Sequence, residues 1–81
     1  LLGLPGAAIA DLSSAIKINP NDSDAYFIRG AIKRDQDLYI LAMEDFNKAI
    51  SIDSHRDATE ARAILCQKIE LAHAKILGCF G

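Results

Sequence analysis

The segment AIADLSSAIKIN at residues 8–19 recurs 34 residues later as AMEDFNKAISID at residues 42–53. The two segments share Ala, Asp, Ala, Ile and Ile at the same places, and Leu12 in the first corresponds to Phe46 in the second. A period of this length is typical of stacked supersecondary units rather than of a single globular core. The repeat therefore predicts a surface that holds other molecules and argues against catalytic chemistry.

The composition narrows the class of protein further. Of the 81 residues, 51% are hydrophobic and only 6% aromatic, with no Trp, which is typical of a small helical domain packed by Ala, Ile and Leu. Nine Lys plus Arg against eleven Asp plus Glu give a net charge of -2 without a run of either sign, so no basic face for nucleic acid is predicted. The apolar stretches are too short and too interrupted for membrane insertion.

Helix start and stop signals predict four helices, at about residues 6–18, 23–34, 39–52 and 57–77. Pro5 suits the first turn of the first helix, and Asp22 or Ser23 can cap the second. Asp57 and Glu60 have the spacing of a capping box for the fourth helix, which is expected to end at Gly78. Because all the loops are short, neighbouring helices should be antiparallel.

Tyr26, Gly30, Ala42, Phe46 and Ala49 together resemble a tetratricopeptide repeat, which carries an aromatic residue and a Gly in its first helix and Ala, aromatic, Ala in its second. The resemblance implies an all-α fold of antiparallel helix-turn-helix repeats, a fragment of an α-solenoid with about four helices. It also implies the organisation of the chain: residues 1–22 as the second half of a repeat, 23–56 as a complete repeat and 57–81 as a terminal or capping helix. The five matching residues are small or aromatic, so we interpret them as packing residues rather than as a site.

The fourth helix departs from the pattern of the repeat. Glu60 stands where Tyr26 would recur, Ile64 stands where Gly30 would, and Ser54 takes the place that Pro20 holds one period earlier. A bulky Ile at a position of close approach argues against a tightly packed following helix. We therefore interpret this helix as a cap, or as a helix whose partner is missing from this chain.

The resemblance also implies a concave groove lined by the first helix of each pair. The residues expected to face it are Asp24, Phe27, Ile28, Ala31 and Arg34, continued from the fourth helix by Ala61, Arg62 and Leu65. Some members of the family clamp a partner's C-terminal carboxylate with Lys and Asn, whereas those places here hold apolar residues and only Arg62 is basic. An apolar groove edged by Arg34 and Arg62 fits helix-in-groove binding better. The alternative is that Phe27 and Ile28 are half-buried between helices.

Cys66, Glu70 and His73 lie at i, i+4 and i+7 and are residue types that bind metals or form a nucleophile and its base. Two helical turns, about 10 Å, separate Cys66 from His73, which is too far for a direct hydrogen bond. We interpret the three residues as helix surface and predict no catalytic residue, no metal and no cofactor. Cys66 and Cys79 lack CxxC spacing and are interpreted as reduced thiols, which favours an intracellular location. His55 lies in a turn and is assigned no role.

Two functional hypotheses follow, both non-enzymatic. The first is a protein–protein interaction module or scaffold that binds a peptide or helix in the groove. The second is a structural unit that self-associates through the fourth helix, where Ile64 and Leu71 form an additional apolar row, and the expected product is a homodimer. An enzyme fragment that uses Cys66 and His73 is the least favoured hypothesis.

Overall fold

The computed structural model of the chain describes residues 4–69, and these residues form four α-helices joined by short turns. The helices are α1 (Pro5–Ile18), α2 (Ser23–Asp35), α3 (Tyr39–Asp53) and α4 (Arg56–Lys68). Each helix packs against its neighbours in the chain, and the most extensive contact joins α2 to α3. No strand occurs within the described residues. The prediction of an all-α fold of antiparallel helix-turn-helix units is confirmed.

The first three helices begin and end within one residue of their predicted bounds. Pro5 occupies the first turn of α1, where its missing N–H leaves no hydrogen bond unmade. Asp22 caps α2, because its carboxylate accepts a hydrogen bond from the Ala25 amide at 3.1 Å. In the turn before α3, the Tyr39 hydroxyl donates to Asp37, and this hydrogen bond raises the pKa of Tyr39 above its ordinary value.

The fourth helix differs from its prediction at both ends. It begins at Arg56, and its cap is His55 rather than a box made by Asp57 and Glu60. It ends at Lys68, and Ile69 has extended backbone angles, with φ -88° and ψ 161°. The prediction of an uninterrupted helix from residue 57 to residue 77 is therefore wrong, and residues 70–81 lie outside the described part of the chain.

The core lies between α3 and α4, with α2 packed across it. Its largest fully buried side chains are Phe46, Met43 and Leu65, and the smaller buried members are Ala42, Ala49, Ala58 and Ala61. Burying a side chain of the size of Phe or Leu stabilises a fold by roughly 1.5–3 kcal/mol. Ala58, Ala61 and Leu65 form the face of α4 that packs against α3.

Gly30 allows α2 to approach α3 closely. A Cβ atom placed on Gly30 would lie 2.8 Å from two ring carbons of Phe46 and 3.1 Å from the carbonyl oxygen of Ala42. Carbon atoms in contact normally stay at about 3.5–4.0 Å. The packing role predicted for Gly30 is thus explained by the Phe46 ring, which occupies the space that a larger side chain would need.

A buried carboxylate joins the first three helices. Asp45 on α3 is only 4% exposed, and it accepts hydrogen bonds from Nε and Nη2 of Arg29 on α2 at 2.9 and 2.7 Å. Lys33 forms a second ion pair with Asp45 at 3.0 Å, and Nη1 of Arg29 donates to the Ser13 hydroxyl on α1 at 3.0 Å. The hydrogen bond to Asp45 raises the pKa of Arg29, although burial acts in the opposite direction. The network fixes α2 against both of its neighbours.

Candidate binding groove

One face of α2 carries all five groove residues predicted on that helix. The spacings of three and four residues that separate Asp24, Phe27, Ile28, Ala31 and Arg34 place them on the same side of a helix. The opposite side, which includes Ala25 and Gly30, is buried against the rest of the domain. We call these five residues, together with Arg62 of α4, the groove face.

The middle of the groove face is apolar and unequally exposed. Ile28 is 45% exposed, whereas Phe27 and Ala31 are half-buried. The Phe27 ring lies between two others, with centroids 5.9 Å from Phe46 and 5.0 Å from the imidazole of His55. The sequence left open that Phe27 and Ile28 are both half-buried between helices. Phe27 is half-buried in this way, whereas Ile28 is exposed and offers the larger free apolar surface.

At one end of the groove face, Asp24 connects α2 to the start of α4. Its Oδ1 atom lies 2.6 Å from Nε2 of His55, whose side chain is only 11% exposed. The other ring nitrogen of His55, Nδ1, accepts a hydrogen bond from the Ala58 amide at 3.1 Å and so caps α4. One imidazole therefore holds the first turns of two helices together.

The two arginines predicted at the edges of the groove face have different surroundings. Nη1 of Arg62 donates to the side-chain oxygen of Asn47 on α3 at 2.9 Å. Arg34 is half-buried, and its Nε atom lies 3.6 Å from a carboxylate oxygen of Asp35, the exposed next residue in the chain. An ion pair of this length with an exposed carboxylate contributes little to stability, so Arg34 can pair with an acidic group of a partner instead.

Two residues predicted to continue the groove are core residues instead. Ala61 is 6% exposed and Leu65 is fully buried, because both lie on the side of α4 that packs against α3. The prediction that they face a groove is wrong. Arg62 is the residue from that set which α4 leaves partly exposed.

The residues predicted to form an interface on the fourth helix are only partly described. Ile64 is 54% exposed, while Leu71 lies outside the described residues. The seven-residue row was predicted on one continuous helix, but α4 ends at Lys68. Among the described residues of α4, Ile64 is the exposed large hydrophobic side chain.

Cys66 also departs from its prediction. It is disulfide-bonded, so the interpretation of Cys66 as a reduced thiol is wrong. A disulfide sulfur is neither a thiolate nucleophile nor a metal ligand. Glu70, His73 and Cys79 lie outside the described residues. The intracellular location predicted from reduced thiols thus loses the observation on which it rested.

A second concave region lies away from the groove face. This apolar cleft, with a volume of about 460 Å³, is formed by the turn after α2, the start of α3 and the end of α4. Its lining residues are Asp37, Leu38, Tyr39, Ile40, Leu41, Lys68 and Ile69. Ile40 is 46% exposed, almost the same as Ile28, so the two isoleucines offer matched probes of the two regions.

Among residues 4–69, no three His, Cys, Asp or Glu side chains are grouped closely enough to hold a metal ion. None of the described helices combines the length and the apolar character needed to cross a membrane.

Sequence reasoning missed the two polar contacts that connect the helices most directly. His55 was passed over because His is not among the usual N-cap residues, which are Ser, Thr, Asp and Asn. The Asp45 network could have been predicted from the sequence, because an Asp recurs at residues 11 and 45 among the apolar residues of the two related helices. A carboxylate on a packing face requires a charged partner, and Arg29 and Lys33 are close enough to supply it.

Comparison with known proteins agrees with this architecture. Residues 23–56 match the family model of the tetratricopeptide repeat. No curated protein and no solved structure gives a significant match to the chain. The four helices and the family match fit a tetratricopeptide-like fragment, as the sequence predicted. Repeats of this family generally serve protein–protein interaction and are not enzymes, which indicates a protein-interaction module.

Proposed function

We propose that the chain binds a peptide or a helix of another protein along the groove face, as a non-enzymatic scaffold. The proposal keeps the predicted organisation of the chain, with residues 23–56 as the complete repeat between a half repeat at 1–22 and a terminal unit at 57–81. The partner is a protein segment, and no cofactor, metal or nucleic acid takes part.

The observation that carries the proposal is the exposure of Ile28 beside two half-buried apolar neighbours. Ile28 is 45% exposed and can contact an apolar side chain of a partner. It lies next to Phe27 and Ala31, whose side chains are already held in place by partial burial. Fixed rings on the floor of a groove reduce the entropy that is lost when a partner binds. The stacking of Phe27 between Phe46 and His55 supplies this order.

The charges at the two ends of the groove face favour one kind of partner. The Asp24 side chain is 79% exposed and lies at the N-terminal end of α2, while Arg34 lies near its C-terminal end. We infer that the partner places an apolar residue on Ile28 and an acidic residue near Arg34. Its basic residues lie toward Asp24, so the two charges determine the direction in which the segment runs.

Peptide display against the native chain, followed by substitution, tests the proposal. Ile28→Glu should weaken the selected binders at least tenfold, and Arg34→Glu should weaken those that carry an acidic residue. The matched control is Ile40→Glu, which makes the same change at nearly the same exposure within the other cleft. Binders that tolerate Ile28→Glu but lose affinity with Ile40→Glu would contradict the groove and indicate the cleft instead.

Phe27→Ala should also weaken binding, but it is the less decisive substitution. Because the ring contacts both Phe46 and His55, its removal lowers stability together with affinity. Binding data for this variant therefore need its helical circular dichroism beside them, whereas the signal of the Ile28 variant should remain close to that of the native chain.

A second candidate function is self-association through the terminal helix, and the exposure of Ile64 favours it. Under this hypothesis the chain is a homodimer in which Ile64 and Leu71 are covered, and both Ile64→Glu and Leu71→Glu shift it to monomer. Sedimentation equilibrium separates the two functions. A monomer whose mass does not change with concentration would rule out self-association and leave the groove hypothesis in place.

A further inference from the structure

His55 bridges two helices, and each of its ring nitrogens serves a different one. Nε2 lies 2.6 Å from the Asp24 carboxylate of α2, and Nδ1 lies 3.1 Å from the Ala58 amide of α4. The imidazole also stacks on Phe27 of α2, with 24° between the ring planes. The ring thus has two contacts with α2 and one hydrogen bond to α4.

The hydrogen bonds define the protonation state that this geometry requires. A backbone amide only donates, so Nδ1 must carry a lone pair to accept the bond from Ala58. Nε2 then carries the proton of the neutral ring and donates it to Asp24. Both ring nitrogens have hydrogen-bond partners in this neutral tautomer. A second proton would bind to Nδ1 and remove the hydrogen bond from the Ala58 amide.

A second proton would change the two sides of the bridge in opposite ways. On the α2 side, the charged ring pairs with the Asp24 carboxylate and gains a cation–π contact with Phe27, so both contacts become stronger. On the α4 side, Nδ1 becomes a donor facing a donor, and a positive charge stands at the N-terminus of a helix, where the dipole disfavours it. Protonation therefore keeps the ring on α2 and removes the cap from the first turn of α4.

The other charged groups around His55 do not reverse this effect. Asp53, at the end of α3, accepts a hydrogen bond from the Ser23 hydroxyl at 2.6 Å. Arg56 and Asp57, in the first turn of α4, are exposed and opposite in charge. Asp24 is the charged residue in direct contact with the imidazole, and it belongs to α2.

We propose that His55 makes the groove face sensitive to pH. The neutral imidazole connects the first turn of α4 to α2, and its protonation breaks that connection by removing the hydrogen bond to the Ala58 amide. Arg62 lies on α4 and the other groove residues lie on α2, so the change alters the spacing between the two sides of the groove. The inference rests on the proposed function for its biological consequence, but the structural change itself requires no partner.

NMR spectroscopy of the native chain tests the inference directly. The Ala58 amide lies in the first turn of α4, before the helix supplies acceptors, so its protection from exchange reports on the cap. Between about pH 8 and about pH 5 its protection factor, corrected for intrinsic exchange, should fall on the order of five- to tenfold. Signals of the Ile28 methyl groups and of the Arg62 side chain should shift with the same midpoint as the His55 ring.

Two variants make the test specific. Asn is a good N-cap and carries no titrating charge, so His55→Asn should keep Ala58 protected at every pH and abolish the response. Asp24→Asn retains an oxygen acceptor for Nε2, so the response should persist in this variant. If it disappeared there, the ion pair rather than the lost cap would cause the change, and the proposal would be wrong.

The native chain offers a further way to overturn the proposal. If the His55 ring titrates while the protection of Ala58 and the Ile28 signals stay constant, protonation does not remove the cap of α4 and the inference fails. That failure would not affect the peptide selection at Ile28, which is measured at one pH. Conversely, a groove without binders would leave the NMR result at Ala58 unaffected, so the two proposals can fail separately.

Discussion

α2 and α4 occupy the same place in successive 34-residue units, yet they begin differently. Four residues, 19–22, connect α1 to α2, whereas only 54 and 55 connect α3 to α4. In the first connection Asn19, which precedes Pro20, has φ -131° and ψ 88°, while Ser54 in the second has left-handed angles, φ 58° and ψ 39°. The tighter reversal starts α4 one residue early relative to the period. The position of a cap is thus set by the geometry of the turn and not by the repeat.

The two helices also differ at their centres. Gly30 of α2 lies against the Phe46 ring, but its equivalent one period later is Ile64, which is 54% exposed. Arg29 and Lys33 of α2 reach Asp45, and their equivalents on α4 are Ala63 and Gln67, which carry no charge. α2 is therefore held by close packing and by a buried ion-pair network, whereas α4 is held by its buried apolar face, its cap, the hydrogen bond from Arg62 to Asn47 and the disulfide of Cys66.

The largest difference between the two helices should appear when Asp45 is removed. Asp45→Ala leaves Arg29 and Lys33 without their buried partner, and we expect a loss of about 2–4 kcal/mol in the free energy of unfolding. Chemical denaturation measures it, with Gln67→Ala on α4 as the control, which should stay within about 0.5 kcal/mol of the native chain. An equal loss in the two variants would remove the distinction between the helices.

The pKa of Arg29 determines how its contribution to the stability lost in Asp45→Ala should depend on pH. Because the hydrogen bond to Asp45 raises the pKa of Arg29 above its ordinary value, the stability it contributes is fully present below that ordinary value and is lost only as the pH rises through the raised one. Arg29 should therefore add no pH dependence between about pH 6 and about pH 9. A deficit of the Asp45 variant that varied within this range would need another titrating group.

A Leu side chain at the centre of α2 should have a different effect from one at the equivalent position of α4. Gly30→Leu forces a side chain into the Phe46 ring, already 2.8 Å from an ideal Cβ, and should cost about 1–3 kcal/mol in the free energy of unfolding. Ile64→Leu at the equivalent place on α4 keeps volume at an exposed site and should cost less than about 0.5 kcal/mol. If the Gly30 variant were as stable as the native chain, close approach would not be what holds α2 to α3.

The same contrast explains how far the sequence could predict the structure. Small residues and aromatics at fixed spacing predicted α2 and α3 correctly, because one period encodes both the helices and their contact. The start of α4 could not be predicted in the same way. The imidazole that caps α4 is held in place by Asp24 and Phe27, which are distant in sequence. The groove face followed from helical spacing, but its connection to α4 depends on these tertiary contacts.

Removing the caps compares the two starts directly. Asp22→Ala loses one hydrogen bond to the Ala25 amide and should cost about 1 kcal/mol in the free energy of unfolding. His55→Ala loses its cap, the bond to Asp24 and the stacking on Phe27, so we expect about 1–2 kcal/mol. Thermal denaturation near neutral pH measures both. A smaller cost at His55 than at Asp22 would show that the bridge to α2 contributes nothing beyond an ordinary cap.

The smallest change in the free energy of unfolding should come from glycine substitutions in the two turns that precede α2 and α4. The change should have opposite signs in the two turns. Ser54 has positive φ, which costs energy for a residue with a Cβ atom, so Ser54→Gly should stabilise the chain by about 0.5 kcal/mol. The amide of Ser54 keeps its 2.8 Å hydrogen bond to the Ile50 carbonyl in this variant, because only the side chain changes. Asn19 has negative φ, and its Oδ1 accepts a hydrogen bond from the Asn21 amide at 3.2 Å. Asn19→Gly should therefore destabilise by a similar amount, through loss of that bond and the greater freedom of the unfolded chain. Urea midpoints for the two variants, measured beside the native chain, should therefore move in opposite directions, and a shift of both in the same direction would show that the two turns do not differ in backbone strain.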